Sequence, residues 1–167
     1  MLKTIVLIGM MGSGKTSVGK ELAKKLGLAF IDIDEEIEKK YQVKIPKIFQ
    51  TKGEFFFREI EEKISCKLIN GKPGVISIGG GGFLNKKIRS KIKINAISIW
   101  INTSLDKIYQ RLNKSKNKRP LLNYKNLKKS IKEIYDKRKP IYKMADYTIQ
   151  TKSDNKKTIV ENIIKKL

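Results

Sequence analysis

The chain has no histidine, one cysteine, one tryptophan and four prolines in 167 residues. Without histidine, the commonest general base at neutral pH and the commonest zinc ligand are both missing, so acid–base chemistry falls to Asp, Glu or Lys. Cys66 has no partner for an internal disulfide, and its helical spacing between Ile64 and Leu68 predicts a buried structural thiol. Long apolar runs are missing too. The stretch 5–11 is too short to span a bilayer and runs into glycines, so it reads as a strand and not a signal peptide, and neither membrane association nor export from the cytoplasm is expected. Acidic residues number 16 against 38 basic ones, a formal net charge of +22. Arginine is scarce: Arg58, Arg89, Arg111, Arg119 and Arg138 are all there are, and lysine supplies the other 33 basic residues. These lysines are spread along the chain without interleaved aromatics, so weak salt-sensitive adhesion to nucleic acid is expected but no specific binding. Lysine can replace arginine where only charge is wanted, but not where a planar fork must hold two oxygens. Each arginine that persists here is therefore a candidate ligand-gripping residue.

What is present is a phosphate loop. Residues 9–16, GMMGSGKT, match G-x-x-x-x-G-K-[ST] at every fixed position. A β-branched run at 4–8 predicts a buried strand before it, and Val18, Leu22, Ala23 and Leu26 predict a helix over 17–26 after it. In that context successive N–H groups can turn around phosphate oxygens, aided by the helix N-terminus. Gly12, Ser13, Gly14, Lys15, Thr16 and Ser17 are the nucleotide-binding candidates, with Lys15 reaching the β- and γ-phosphates and Thr16 ligating Mg²⁺.

The length and an apolar fraction of 40% suit one domain over 1–167, without repeats or linker. Further strands are predicted at 28–32, 75–78, 96–101 and 147–150. Helices are predicted at 35–41, at 47–51 opened by Pro46, at 54–69 after Gly53, around Ile88 and Ile92, at 105–112, and at 127–139 stopped by Pro140. Asp154 is expected to cap a terminal helix. The polar, lysine-rich segment 113–118 has no apolar periodicity and is expected to be mobile. Strands alternating with helices imply a parallel sheet covered on both faces, with ligands at the carboxyl ends of the strands.

Two further features fall at strand ends. Asp32 and Asp34 would project to one side if extended geometry persisted, so one could hold Mg²⁺ through water while the other faced a substrate hydroxyl. Asp34 could instead cap the next helix. The run Gly79–Gly82 could bring backbone N–H donors close to a ligand, or simply be a flexible turn.

Along nearly its whole length the chain resembles shikimate kinases. The resemblance is carried by GMMGSGKT, Phe30–Asp34 (FIDID), Ile45–Phe49 (IPKIF), Gly53-Glu54-Phe55-Phe56-Phe57-Arg58 with Glu61, the glycine run, Arg119-Pro120-Leu121-Leu122, and Arg138 with Tyr142. It implies a three-layer P-loop kinase fold with a five-stranded parallel sheet of order 2-3-1-4-5, a substrate-binding segment at about 33–61 and a mobile lid at about 112–124. It implies Mg²⁺-dependent transfer of the ATP γ-phosphate to the 3-hydroxyl of shikimate, in aromatic amino-acid biosynthesis, by a cytoplasmic monomer with one Mg²⁺ per subunit. Lys15, Asp34 and Arg119 would be catalytic, with Asp34 also meeting the shikimate hydroxyls. Arg58 and Arg138 would hold the carboxylate, Glu61 would orient Arg58, and Gly80 would donate from its backbone. Phe49, Phe57, Pro120 and Leu121 would form apolar walls, Arg111 would lie near the adenine, and Thr16 and Asp32 would hold the metal. Lys47 stands where the family usually has an acid, and Arg89 matches no motif. The rival readings are another small-metabolite kinase of this architecture, such as a gluconate kinase, and a non-catalytic nucleotide- or RNA-binding module.

Overall fold

The computed structural model describes residues 3–151 and 155–167. Five strands, β1 (Thr4–Ile8), β2 (Ala29–Asp32), β3 (Gly74–Ser77), β4 (Ala96–Thr103) and β5 (Tyr147–Thr151), form one parallel sheet of order β2-β3-β1-β4-β5. The register pairs Ile5 with Val75 on one side and with Ile97 on the other, which puts β1 at the centre. Helices cross between the strands: α1 (Lys15–Leu26), α2 (Ile33–Tyr41), α3 (Ile45–Ile69), α4 (Lys86–Asn95), α5 (Leu105–Lys114), α6 (Leu127–Tyr142) and α7 (Lys156–Ile164).

Strand alternation splits the core into two layers. Ile5 and Leu7 of β1 point to a cluster with Val18 and Leu22 of α1 and Val160 and Ile163 of α7. Val6 and Ile8 point the other way, to Ile64 of α3, Ile88 and Ile92 of α4, Ile108 of α5 and Ile131 of α6. Each β1 residue is almost fully buried, as a central parallel strand requires. Trp100 of β4 pairs with Ile8 and its ring lies 5.7 Å from that of Tyr142. Gly19 of α1 is buried against the Phe30 ring, so any Cβ there would collide with it.

Several boundaries differ from the sequence reading. Extended geometry stops at Asp32, because its side chain accepts from the Asp34 N–H at 3.0 Å and caps α2. Asp34 therefore stands in the first turn of a helix, and the cap is Asp32. Helix α3 runs through both predicted helices with a break at Gly53, φ 81° and ψ 170°. Helix α6 continues past Pro140 to Tyr142. Proline removes only the bond to the Asp136 carbonyl, and the buried Tyr142 holds the last turn on the core. Asp154 lies outside the described residues; Asn155 caps α7 by accepting from the Lys157 N–H. Cys66 is half-buried rather than enclosed.

Candidate active site

The phosphate loop leaves β1 at its carboxyl end. Gly9 (φ +144°) passes so near β4 that a Cβ would sit 2.7 Å from the Ile101 carbonyl. Gly14 (φ +94°) turns the chain into α1, so the loop N–H groups and the N-terminus of α1 face the same space. Lys15 is buried, and its Nζ donates to the Gly9 and Met10 carbonyls at 2.9 Å each. Burial lowers its pKa to about 8, although Asp34 and Asp32 oppose the shift. An anion beside it would favour the charged form. Thr16 Oγ1 donates to Asp32 Oδ2 at 2.7 Å.

A cleft of about 320 Å³ opens over this loop. It brings together Gly12, Gly14, Lys15, Thr16, Ser17, Asp32, Asp34, Phe49, Phe57, Arg58, Glu61, Gly80, Arg119, Pro120, Leu121 and Arg138. Two of the predicted residues do not line it. Ser13 is buried beneath the loop. Arg111 lies on the loop's outer side, where Nη1 donates to the Gly12 carbonyl at 3.0 Å.

The cleft floor is the glycine run after β3. A Cβ at Gly79 would lie 2.8 Å from Glu61 Oε1 and 3.0 Å from Asp34 Oδ1; at Gly80, 2.7 Å from Arg138 Nη1; at Gly81, 2.6 Å from Arg58 Cζ. Four charged side chains thus converge on three successive residues that must lack side chains. This is a platform, not merely a flexible turn.

The charges differ in how they are held. Arg58 Nη1 donates to Glu61 Oε2 at 2.6 Å, and Nη2 to Glu54 Oε1 at 3.2 Å, so the fork is held from two sides. Its guanidinium also lies over the Phe57 ring, 5.1 Å from the centroid, while Phe57 and Phe49 pack at 4.8 Å. Burial pushes Glu61 up to about 7 despite Arg58, and burial followed by the neighbouring Asp32 raises Asp34. Asp34 Oδ1, Glu61 Oε1 and Arg138 Nη1 are buried and have no hydrogen-bond partner among the described residues. Unpaired buried polar atoms are costly, and an acceptor next to an arginine donor fits a ligand carrying both a hydroxyl and an acid.

Residues 115–123 cross the mouth without helix or strand. Arg119 is exposed there, and its N–H donates to the Tyr124 hydroxyl at 2.9 Å. Lys118 Nζ stands 3.9 Å from the Tyr124 ring centroid, a cation–π contact. Lys47 is exposed and away from the cleft. The structure gives Arg89 a local job: Nη1 donates to the Phe83 and Leu84 carbonyls at 2.8 Å each, closing the short turn that follows the glycine run. Sequence reasoning assigned no role to Arg89, and none to Tyr142 beyond its place in the resemblance; the Tyr142 hydroxyl donates to the Gly80 carbonyl.

The sheet order, the phosphate loop at the end of the central strand and the acceptor cleft beside it define a P-loop kinase. The chain belongs to the shikimate kinase family, whose model matches residues 11–167. It is 43% identical to a shikimate kinase of Persephonella marina over 163 residues, 98% of each chain. With one from Bartonella henselae it shares 40% over 163 residues, 98% of this chain and 77% of the relative. Among solved structures, shikimate kinase from Acinetobacter baumannii in complex with shikimate superposes with a TM-score of 0.94 at 36% identity, covering 99% of this chain and 92% of that one. A gluconokinase from Sinorhizobium meliloti 1021 (TM-score 0.62, 19% identity, covering 98% of this chain and 90% of that one) shares the fold alone.

Proposed function

We infer that this chain transfers the γ-phosphoryl group of ATP to the 3-hydroxyl of shikimate, giving shikimate 3-phosphate and ADP. The observation that carries the substrate assignment is the meeting, on Gly79–Gly81, of an unpartnered Asp34 oxygen with two arginine forks in a family member of this fold. A rigid cyclic acid with hydroxyls answers both kinds of group at once.

The phosphate loop N–H groups, Lys15 and Ser17 hold the nucleotide, and Arg111 steadies the loop from outside, near the base. Thr16 and Asp32 hold Mg²⁺: a hydroxyl and a carboxylate oxygen in contact are a hard oxygen pair, and Mg²⁺ binds with few protein ligands beside phosphates and water. When bound, the metal neutralises charge on the β- and γ-phosphate oxygens. Arg58 and Arg138 grip the shikimate carboxylate, Glu61 fixes Arg58, and Gly80 donates its N–H. Phe49, Phe57, Pro120 and Leu121 close around the apolar ring edge. Asp34, its carboxylate destabilised by burial, accepts the hydroxyl proton as the oxygen attacks phosphorus. Arg119 meets the developing charge from segment 112–124, which acts as a lid and keeps water from the phosphoryl group. The 33–61 segment and the lid are parts of one domain, and one chain supplies every assigned group, which favours a monomer; its ATP requirement suits the cytoplasm.

An ADP-release assay with shikimate, gluconate and nucleoside monophosphates tests the assignment. Turnover that depends on shikimate is expected. Turnover with gluconate but none with millimolar shikimate would overturn it, and ATP binding with no acceptor would favour a non-catalytic module.

A further inference from the structure

Tyr142 is fully buried in the last turn of α6, one helical turn after Arg138. Its placement reads at first as plain core, with the ring packed 5.7 Å from Trp100. Its oxygen, however, reaches the floor of the cleft. It donates to the Gly80 carbonyl and lies 4.0 Å from Met10 Sδ at the root of the phosphate loop, and the Gly80 it holds is the residue against which Arg138 Nη1 lies. Burial raises the phenol's pKa, so it keeps the proton it donates.

The geometry of the peptide makes this contact consequential. In a trans peptide the carbonyl and the next N–H point in opposite directions. With the Gly80 carbonyl drawn down to Tyr142, the Gly81 N–H is directed away from the core. Neither Gly80 nor Gly81 donates its N–H to any acceptor among the described residues. Arg138 Nη1, also unpartnered, lies against Gly80 at the distance where a Cβ would clash. One hydroxyl therefore fixes the backbone plane against which that guanidinium lies.

We propose that Tyr142 is a positioning residue of this kinase: its hydroxyl holds the Gly80–Gly81 peptide against which the Arg138 fork lies, and so sets how well the acceptor's carboxylate is held. The proposal rests on the shikimate reading above. It concerns the acceptor half of the site, because α6 and the glycine run carry no group assigned to ATP.

The test is Tyr142→Phe in the full chain, which keeps the ring and removes only the oxygen. Losing one buried hydrogen bond and leaving its acceptor unpaired predicts a rise of about five- to thirty-fold in the KM for shikimate, with the KM for ATP unchanged. The variant should also discriminate less between shikimate and its primary amide, because the peptide against which the carboxylate-specific fork lies is no longer fixed. Trp100→Phe, which trims a neighbour of the same ring that does not line the cleft, should lower the melting temperature and leave both substrate constants alone. A Tyr142→Phe enzyme with wild-type shikimate KM and wild-type acid-over-amide preference sinks the proposal, whatever its melting temperature. So does an equal rise in both KM values, which would mean general loosening. If Tyr142→Phe does not fold, shikimate titration of the wild-type Gly80 and Gly81 amide resonances decides: perturbation of both supports the proposal, and silence of both overturns it. Absence of shikimate turnover in the wild type would strike the functional reading instead, so the two failures are distinct.

Discussion

At the scale of single residues, the site depends on side-chain shape more than on charge. Arg138 has a buried Nη1, unpaired among the described residues and pressed to the glycine run, a place that a flexible ammonium cannot fill in the same way. Arg138→Lys should raise the KM for shikimate about ten- to a hundred-fold and leave that for ATP alone, as steady-state kinetics will check. Asp34→Asn should lower kcat by about 10²–10⁴ while nucleotide binding persists in calorimetry. Glu61 gives a prediction about stability. Its folded pKa is raised to about 7, so between the ordinary carboxylate range and 7 the native state holds a proton that the unfolded chain releases. Stability from this group is thus full at low pH and is lost as pH rises through about 7. Melting temperatures from pH 5 to 8 should fall less steeply for Glu61→Gln than for wild type, and parallel curves would refute the assignment. The motif residues were legible in the sequence because spacing and resemblance name them. The jobs of Tyr142 and Arg89 were not, although Tyr142 is part of the resemblance. A tyrosine at helical spacing looks like core, and a lone arginine without a motif carries no hint of the carbonyls it will meet.

Among the elements, α3 shows how a backbone break places a side chain. Gly53 at φ 81°, ψ 170° separates the turn carrying Phe49 from the turn carrying Phe57, Arg58 and Glu61. Folding these turns toward one another lets Phe49 stack on Phe57 and aims Arg58 at the cleft. That region of backbone space is almost closed to other residues, whereas Gly27 at φ 66°, ψ 28° adopts the left-handed form that some residues tolerate. A Cβ added at either position would meet no atom within 4 Å, so backbone strain alone should decide the cost. Gly53→Ala should destabilise by about 1–3 kcal/mol and Gly27→Ala by less, read from urea midpoints at unchanged slope. The sequence foretold the break, since Gly53 interrupts two helical patterns. It misplaced the end of α6, because the rule that proline stops a helix neglects the hold of a buried residue two positions later. It also missed that Asp32, rather than Asp34, caps α2.

For the molecule as a whole, the apolar pattern determines the sheet and the lysines determine little of it. The parallel sheet follows from alternating strands and helices and its order from the family resemblance, and every apolar run predicted as a strand is one, within a few residues. The ion pairs are mostly between exposed groups, where each contributes roughly 0–1 kcal/mol. Against them stands the self-repulsion of a +22 chain. Raising sodium chloride from about 10 to 150 mM shortens the screening length from roughly 30 to 8 Å, so it should raise the melting temperature rather than lower it. A fall would mean that attractive pairs outweigh repulsion.

The lone tryptophan gives this architecture a built-in optical handle. Trp100 is 3% exposed, its Cδ1 approaches the start of the phosphate loop at Gly9, and its ring neighbours Tyr142. No second indole dilutes its emission. Emission excited at the indole band is therefore a signal from the core beneath the phosphate loop, and a change in it on adding nucleotide would report on that loop without a label.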